Sequence, residues 1–165
     1  MELKKSESRR IFLTLFYSGL FPKAPGTVGT IVSLIIAMIL LQYLTITNLF
    51  MASILISIIA VKQIDIYEKQ TLTHDSSSIV IDELAGMWIA LSVANVQADS
   101  YILAFIAFVY FRIFDITKPS IIGRIDKNVP GGLGVMGDDI VAGFFAGLLT
   151  VLTSYILNTY FGIII

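Results

Sequence analysis

Two acidic pairs stand against hydrocarbon in this chain. Asp82-Glu83 opens Leu84-Ala85-Gly86-Met87-Trp88, and Asp138-Asp139 opens Ile140-Val141-Ala142-Gly143. Only 14% of the residues are charged. Carboxylates clustered beside apolar runs are costly there and are candidates for function. Four convergent carboxylates suit a hard divalent cation, which takes oxygen ligands. The plainer readings are structural. An Asp at a helix start caps it and complements its dipole, but a cap uses one carboxylate, and two side by side repel unless a cation lies between them. For Asp82-Glu83 the structural alternative is a salt bridge to Arg112 or Lys118.

Cations accompany these acids. Arg112 and Asp115, three apart, can pair on one helix face; alternatively the Arg112 guanidinium is an anion clamp that matches phosphate oxygens bidentately. Lys118, Arg124 and Lys127 follow within fifteen residues, as cations for phosphate or as contacts to anionic lipid. The run Lys23-Ala24-Pro25-Gly26-Thr27-Val28-Gly29-Thr30 has the form of a phosphate-cradling loop before a helix, where free N–H groups favour anions. It lacks the Gly-Lys-Ser/Thr ending of a Walker motif, and by composition alone a bare turn is the better explanation. His74, the single histidine, stands beside Asp75 as a candidate acid or ligand, or as a plain loop residue.

The elements that must position these groups are apolar. The 165 residues make one domain. They are 56% apolar, with a mean hydropathy of +0.87 and no charge from Ala24 to Val61 or from Ile140 to Ile165. Such runs point to membrane spans. The absence of Cys removes disulfides, thiolate metal sites and cysteine nucleophiles. No cleavable signal peptide is expected, since the first apolar stretch, 11–21, is short and runs into Pro22-Lys23-Ala24-Pro25-Gly26.

Residues 1–10 read as a charged, mobile head, and 11–20 as an interfacial or re-entrant helix. A turn-rich loop is expected over 21–30. Apolar helices follow over about 28–44, 48–61, 79–96 and 101–118, with Pro119 ending the last of them. The segment 62–78 reads as a polar loop, and 120–137 as a second loop. The final helix is expected from about Asp139.

All eleven Lys and Arg fall in the head, the Pro/Gly loop, 62–78 and 112–127. By the positive-inside rule these segments are cytoplasmic, giving about five spans with the N-terminus inside. Every acid except Asp99 shares that side. The expected fold is therefore all-α, a compact membrane-embedded bundle with about four to five membrane helices plus an N-terminal interfacial helix. A bundle sitting shallowly in one leaflet is the rival, because two of the helices offer about 14 apolar residues where about 20 are usual. Gly143-x-x-x-Gly147 is a helix-packing signal, within the chain or between copies, so an oligomer is possible.

Carboxylates and cations at a membrane surface suggest phosphoryl chemistry on a lipid headgroup, and the absences narrow it. One histidine is too few for the lipid phosphatases that use two. No Asp-x-Asp nucleophile signature is present, and no Asp-Gly of the membrane CDP-alcohol phosphotransferases. Metal-assisted hydrolysis or a non-enzymatic ion site remains.

Several blocks then resemble the phosphatidylglycerophosphatase A family. They are Ser18-Gly19-Leu20 through Pro25–Thr30, Ser78-Ile79-Val80-Ile81-Asp82-Glu83 through Trp88, Phe111-Arg112-Ile113-Phe114-Asp115 with Lys118-Pro119, and Asp126-Lys127-Asn128 through Gly131-Gly132-Leu133-Gly134 to Gly143. The blocks keep their order from about residue 12 to 150, within a single domain over 11–165. Ser76-Ser77 stands where some members carry His-Gly, which leaves no second histidine for that role.

The resemblance implies a bacterial inner-membrane, Mg2+-dependent enzyme. It removes the terminal phosphate of phosphatidylglycerophosphate, leaving phosphatidylglycerol and inorganic phosphate. Asp82, Glu83, Asp138 and Asp139 are then expected to hold one or two Mg2+ ions, with a carboxylate as general base or as nucleophile. Lys23, Gly26, Thr27, Arg112 and Lys118 are expected around the phosphate, with His74, Asp75, Asp115, Asp126 and Asn128 in support. The partners are a phospholipid and the membrane, and no nucleic acid. The alternatives are a small cation transporter, whose acids would lie near mid-bilayer, or a phosphatase of another lipid phosphate such as phosphatidic acid.

Overall fold

The computed structural model describes residues 2–71 and 76–163. Among these, seven α-helices and one 3-10 turn occur and no strand, as the all-α expectation requires. The helices are α1 (Glu2–Leu13), α2 (Pro25–Leu40), α3 (Ile46–Thr71), α4 (Ile81–Val93), α5 (Tyr101–Thr117), α6 (Ile121–Asn128) and α7 (Gly131–Phe161), with the 3-10 turn at Ser18–Leu20.

Helix α4 is the axis of the bundle. Ten of its thirteen residues are buried, and it packs on α2, α3, α5 and α7. Its closest partner is α7, and small residues make that approach possible. A Cβ on Gly86 would lie 2.6 Å from the Asp139 carbonyl oxygen, and one on Gly147 would lie 2.5 Å from Val93 Cβ. Gly143 meets the Gly86 backbone in the same way. The Gly143-x-x-x-Gly147 signal is thus used inside the chain, where missing side chains let two backbones touch.

Hydrogen bonds tie α4 on its other sides. Trp88 Nε1 donates to the Ser33 carbonyl of α2 at 2.9 Å, and Ser53 Oγ of α3 donates to the Ala85 carbonyl at 3.0 Å. A buried polar group without a partner would cost more than either bond contributes.

The outside of the bundle is apolar. Ile35 and Ile39 on α2, Met51, Leu55 and Ile58 on α3, Ile102 and Phe105 on α5, and Phe144, Leu148 and Leu152 on α7 are all exposed. Water-soluble monomers rarely display so much contiguous hydrocarbon. Two helices, α3 and α7, are long and apolar enough to cross a bilayer by length and composition. Helix α2 is apolar but shorter, and thirteen-residue α4 lies within a sleeve of other helices.

Several boundaries differ from expectation. The charged head is helical from Glu2, while 11–20 is broken after Leu13 by a turn. The polar segment after Val61 continues α3 to Thr71, because its apolar positions keep helical spacing and Ile64 is fully buried. The expected loop 120–137 contains α6 and the first two turns of α7. Its glycines serve close approach: a Cβ on Gly132 would strike the Val61 carbonyl of α3. Helix α7 therefore begins eight residues before Asp139, and the reading of Asp138-Asp139 as a helix cap does not hold. His74 and Asp75 lie outside the described residues.

Candidate active site

Asp82 and Glu83 occupy the first turn of α4, after Val80 as N-cap. Acids are favourable there because the first backbone N–H groups have no helical partner. Asp82 Oδ1 accepts the Glu83 N–H at 3.0 Å. One turn on, the Gly86–Gly143 crossing lays α7 against α4 and carries Asp139 onto the pair. One carboxylate oxygen from each of Asp82, Glu83 and Asp139 lies within 4.8 Å of the others. Glu83 is 8% exposed and Asp139 3%, so repulsion among the three is weakly screened.

Asp138 is placed differently. Its Oδ2 accepts from Lys118 Nζ at 2.8 Å, and the same ammonium pairs with Asp126 of α6. Lys118 ends α5 in the left-handed conformation, φ 42°, which turns its backbone toward α6 and α7. Partial burial works against the Lys118 ammonium, but its hydrogen bonds to Asp126 and Asp138 outweigh that and hold its pKa above the usual lysine range.

These groups line a cavity of about 120 Å3 together with Ile79, Asp115 and Val135. At its side Arg112 pairs with Asp115 and donates to Thr30 Oγ1 at 3.3 Å and Thr27 Oγ1 at 3.2 Å. The start of α2 fits closely here: a Cβ on Gly26 would collide with Glu83 Oε1 and approach both terminal nitrogens of Arg112. Glycine is the residue that lets α2 come this near.

The structure thus gathers Asp82, Glu83 and Asp139 in one cluster, with Asp138, Lys118, Asp115 and Asp126 around it and Gly26, Thr27 and Arg112 alongside. Lys23 is exposed and Asn128 bonds the Arg124 carbonyl of its own helix at 2.8 Å; neither lines the cavity. Among the described residues, neither Asp82 nor Glu83 forms a salt bridge to Arg112 or Lys118, whereas the Arg112–Asp115 pair does form. Sequence reasoning missed Asp65. Its Oδ1 on α3 accepts the Gly132 N–H at 2.7 Å and so caps the helix that carries Asp138 and Asp139. No local spacing signals a contact between residues 67 apart.

The donor set fits a hard cation. It is all oxygen and carries net negative charge, and Glu83 Oε2 and Asp138 Oδ1 are buried without a hydrogen-bond partner. Buried polar atoms are rarely left so unless an ion, water or ligand completes them.

The chain is similar to several known proteins. The family profile of phosphatidylglycerophosphatase A matches residues 11–154. Phosphatidylglycerophosphatase A of Escherichia coli is 38% identical over 150 residues, covering 89% of this chain and 84% of its own. Phosphatidylglycerophosphatase A of Haemophilus influenzae is 34% identical over 140 residues, 85% of each chain. A Bacteroides thetaiotaomicron protein, provisionally named a phosphatidylinositol-3-phosphatase, is 33% identical over 149 residues, covering 88% of this chain and 92% of its own. No solved structure matches.

Proposed function

The chain belongs to the phosphatidylglycerophosphatase A family, and on that premise we propose that it hydrolyses the terminal phosphate of phosphatidylglycerophosphate with the help of Mg2+ held by Asp82, Glu83 and Asp139. The products are phosphatidylglycerol and inorganic phosphate. The observation that carries the reading is the cluster itself: three carboxylates from two helices, within 4.8 Å, inside an otherwise apolar bundle.

Bound there, Mg2+ would neutralise phosphate charge and acidify a nearby water. The chain's own residues do the rest. Arg112, braced by Asp115, Thr27 and Thr30, presents its guanidinium beside the cluster and is suited to two phosphate oxygens. Lys118 holds Asp138 and Asp126 at the cavity wall and supplies a second positive charge. As a water oxygen bonds to phosphorus and the bond from phosphorus to the glycerol oxygen breaks, a cavity carboxylate such as Asp138 takes the water's proton, and the glycerol oxygen leaves protonated as the free hydroxyl of phosphatidylglycerol. The first turn of α2 adds free N–H groups on the same side.

On this reading the enzyme is a multi-pass protein of a bacterial cytoplasmic membrane, with this end of the bundle inside. Supporting that, all eleven Lys and Arg belong to segments at the site end, and the opposite turns, 41–45 and 94–100, hold Asp99 alone among charged residues.

A second reading, hydrolysis of another lipid phosphomonoester, is favoured by the provisional name of the Bacteroides relative. Phosphate release from purified protein with phosphatidylglycerophosphate, phosphatidic acid and phosphatidylinositol 3-phosphate, each with Mg2+ and with EDTA, separates them. Preference for phosphatidylglycerophosphate, abolished by EDTA, is expected. Release that ignores EDTA would remove the metal from the account, and preference for an inositol phosphate would replace the substrate.

A further inference from the structure

Between α1 and α2 the chain makes a turn that is unusual in both backbone and surface. Leu15, Phe16 and Tyr17 are consecutive non-glycine residues in the left-handed region, with φ 44°, 53° and 68°. L-residues seldom hold that conformation singly, let alone in threes. It persists here because its surroundings fix it. Thr14 is its hub, with its carbonyl accepting from Gly19 N–H at 3.0 Å and its Oγ1 from Tyr17 N–H at 3.1 Å. Leu13 and Leu15 anchor the turn in the core at 1% and 4% exposure.

Phe16 has no such reason to be there. Glycine would adopt its backbone freely, yet the position carries a benzyl group that is 75% exposed. Phe21 is 55% exposed nearby, with Tyr17 and Leu20 between them also exposed. The packing of the chain on itself covers only part of this hydrocarbon, and least of all Phe16. Two cations and one acid flank the patch: Arg10 lies over the Tyr17 ring at 5.9 Å, exposed Lys23 follows Phe21 by two residues, and Glu7 Oε1 accepts from the Tyr17 hydroxyl at 2.6 Å. Apolar side chains rimmed by Lys and Arg are the chemistry of a bilayer interface with anionic headgroups.

The patch is also bound to the site. The Leu13 carbonyl accepts the Val80 N–H at 3.0 Å, and a Cβ on Gly19 would strike the Ser78 carbonyl. Residues 78–80 lead directly into Asp82 and Glu83.

We propose that residues 14–21 form a lipid-interface foot, in which Phe16 and Phe21 enter the headgroup boundary and seat the carboxylate cluster at the level where a phospholipid phosphate lies. The inference rests on the lipid-phosphatase reading and adds positioning residues to it. Neither phenylalanine touches the cavity.

Two measurements on protein reconstituted in phosphatidylcholine–phosphatidylglycerol vesicles test it. The first places Trp at position 16 (Phe16→Trp) beside the single, buried Trp88. Quenching of the new emission by lipids brominated high on the acyl chain, stronger than by deep bromines or aqueous iodide, is expected. Quenching by iodide alone would overturn the proposal, as would protection from both quenchers, which would assign the patch to a protein contact.

The second compares wild type with Phe16→Gly and Phe21→Ser on two substrates. These are long-chain phosphatidylglycerophosphate in the bilayer and dihexanoyl phosphatidylglycerophosphate supplied below its micellar concentration. The foot predicts a several-fold rise in KM for the bilayer substrate, unchanged kcat/KM for the short-chain one, and an unfolding midpoint that Phe16→Gly does not lower. Equal loss on both substrates, or no loss on either, would contradict it. If wild type cleaves neither substrate, the lipid-phosphatase reading fails, and the fluorescence result still decides whether the foot enters lipid.

Discussion

The two ends of this bundle are built to different rules. At one end, six carboxylates and Lys118 line a small cavity, with Arg112 paired to Asp115 beside it. At the other, the turns 41–45 and 94–100 are closed by backbone and amide hydrogen bonds, such as Gln42 Nε2 to the Ala98 carbonyl at 3.3 Å. The far end needs only to satisfy the chain. The site end concentrates charge that destabilises the fold unless a ligand neutralises it. What joins the two is the glycine-lined crossing of α4 and α7, which holds the bundle together and also sets the distance between the acidic pairs.

The largest effect should come from the cluster itself. Asp82→Asn or Asp139→Asn is expected to lower phosphate release at least about a hundred-fold, since even outer residues of metal sites cost ~10–100-fold, with helix content unchanged by circular dichroism. Near-normal turnover in both variants would end the assignment.

Next is the crossing. Gly86→Val or Gly143→Val forces α4 from α7 and should cost about 1–3 kcal/mol as overpacking, with activity lost alongside. Thermal unfolding and phosphate release in one detergent check whether both fall together, as one shared contact requires.

Arg112→Lys keeps the charge but not the fork that meets Asp115, Thr27 and Thr30. A roughly ten-fold or greater loss of kcat/KM is expected, against the much smaller change that a purely structural ion pair would give. Asp65→Ala removes a cap worth about 1 kcal/mol and should lower the unfolding midpoint, with only a modest effect on rate. The smallest effect belongs to the far end: Asp99→Asn should stay within about 0.5 kcal/mol of wild type and leave turnover unchanged. A large effect there would erase the contrast between the ends.

Much of this was readable from the residues. Helix α2 was visible as an apolar run and α5 as one broken only by Arg112 and Asp115, and the acidic pairs stood out because charge is scarce around them. The start of α7 was not, because Gly131-Gly132-Leu133-Gly134 has the composition of a loop, and only the nearness of α3 shows those glycines to be packing residues. The continuation of α3 past Val61 was hidden by its polar surface. The convergence of Asp139 on Asp82 and Glu83, while Asp138 turns to Lys118, depends on a helix crossing that pairwise spacing does not encode. Asp65 was invisible for the same reason.

The central claim is that Asp82, Glu83 and Asp139 together make one cation site. Titration calorimetry of Mg2+ into purified wild-type protein and into Asp139→Asn, in the same detergent, tests it most directly. Saturable binding in wild type that disappears in Asp139→Asn, with the fold retained, is the predicted result. Equal Mg2+ affinity in the two proteins would contradict it.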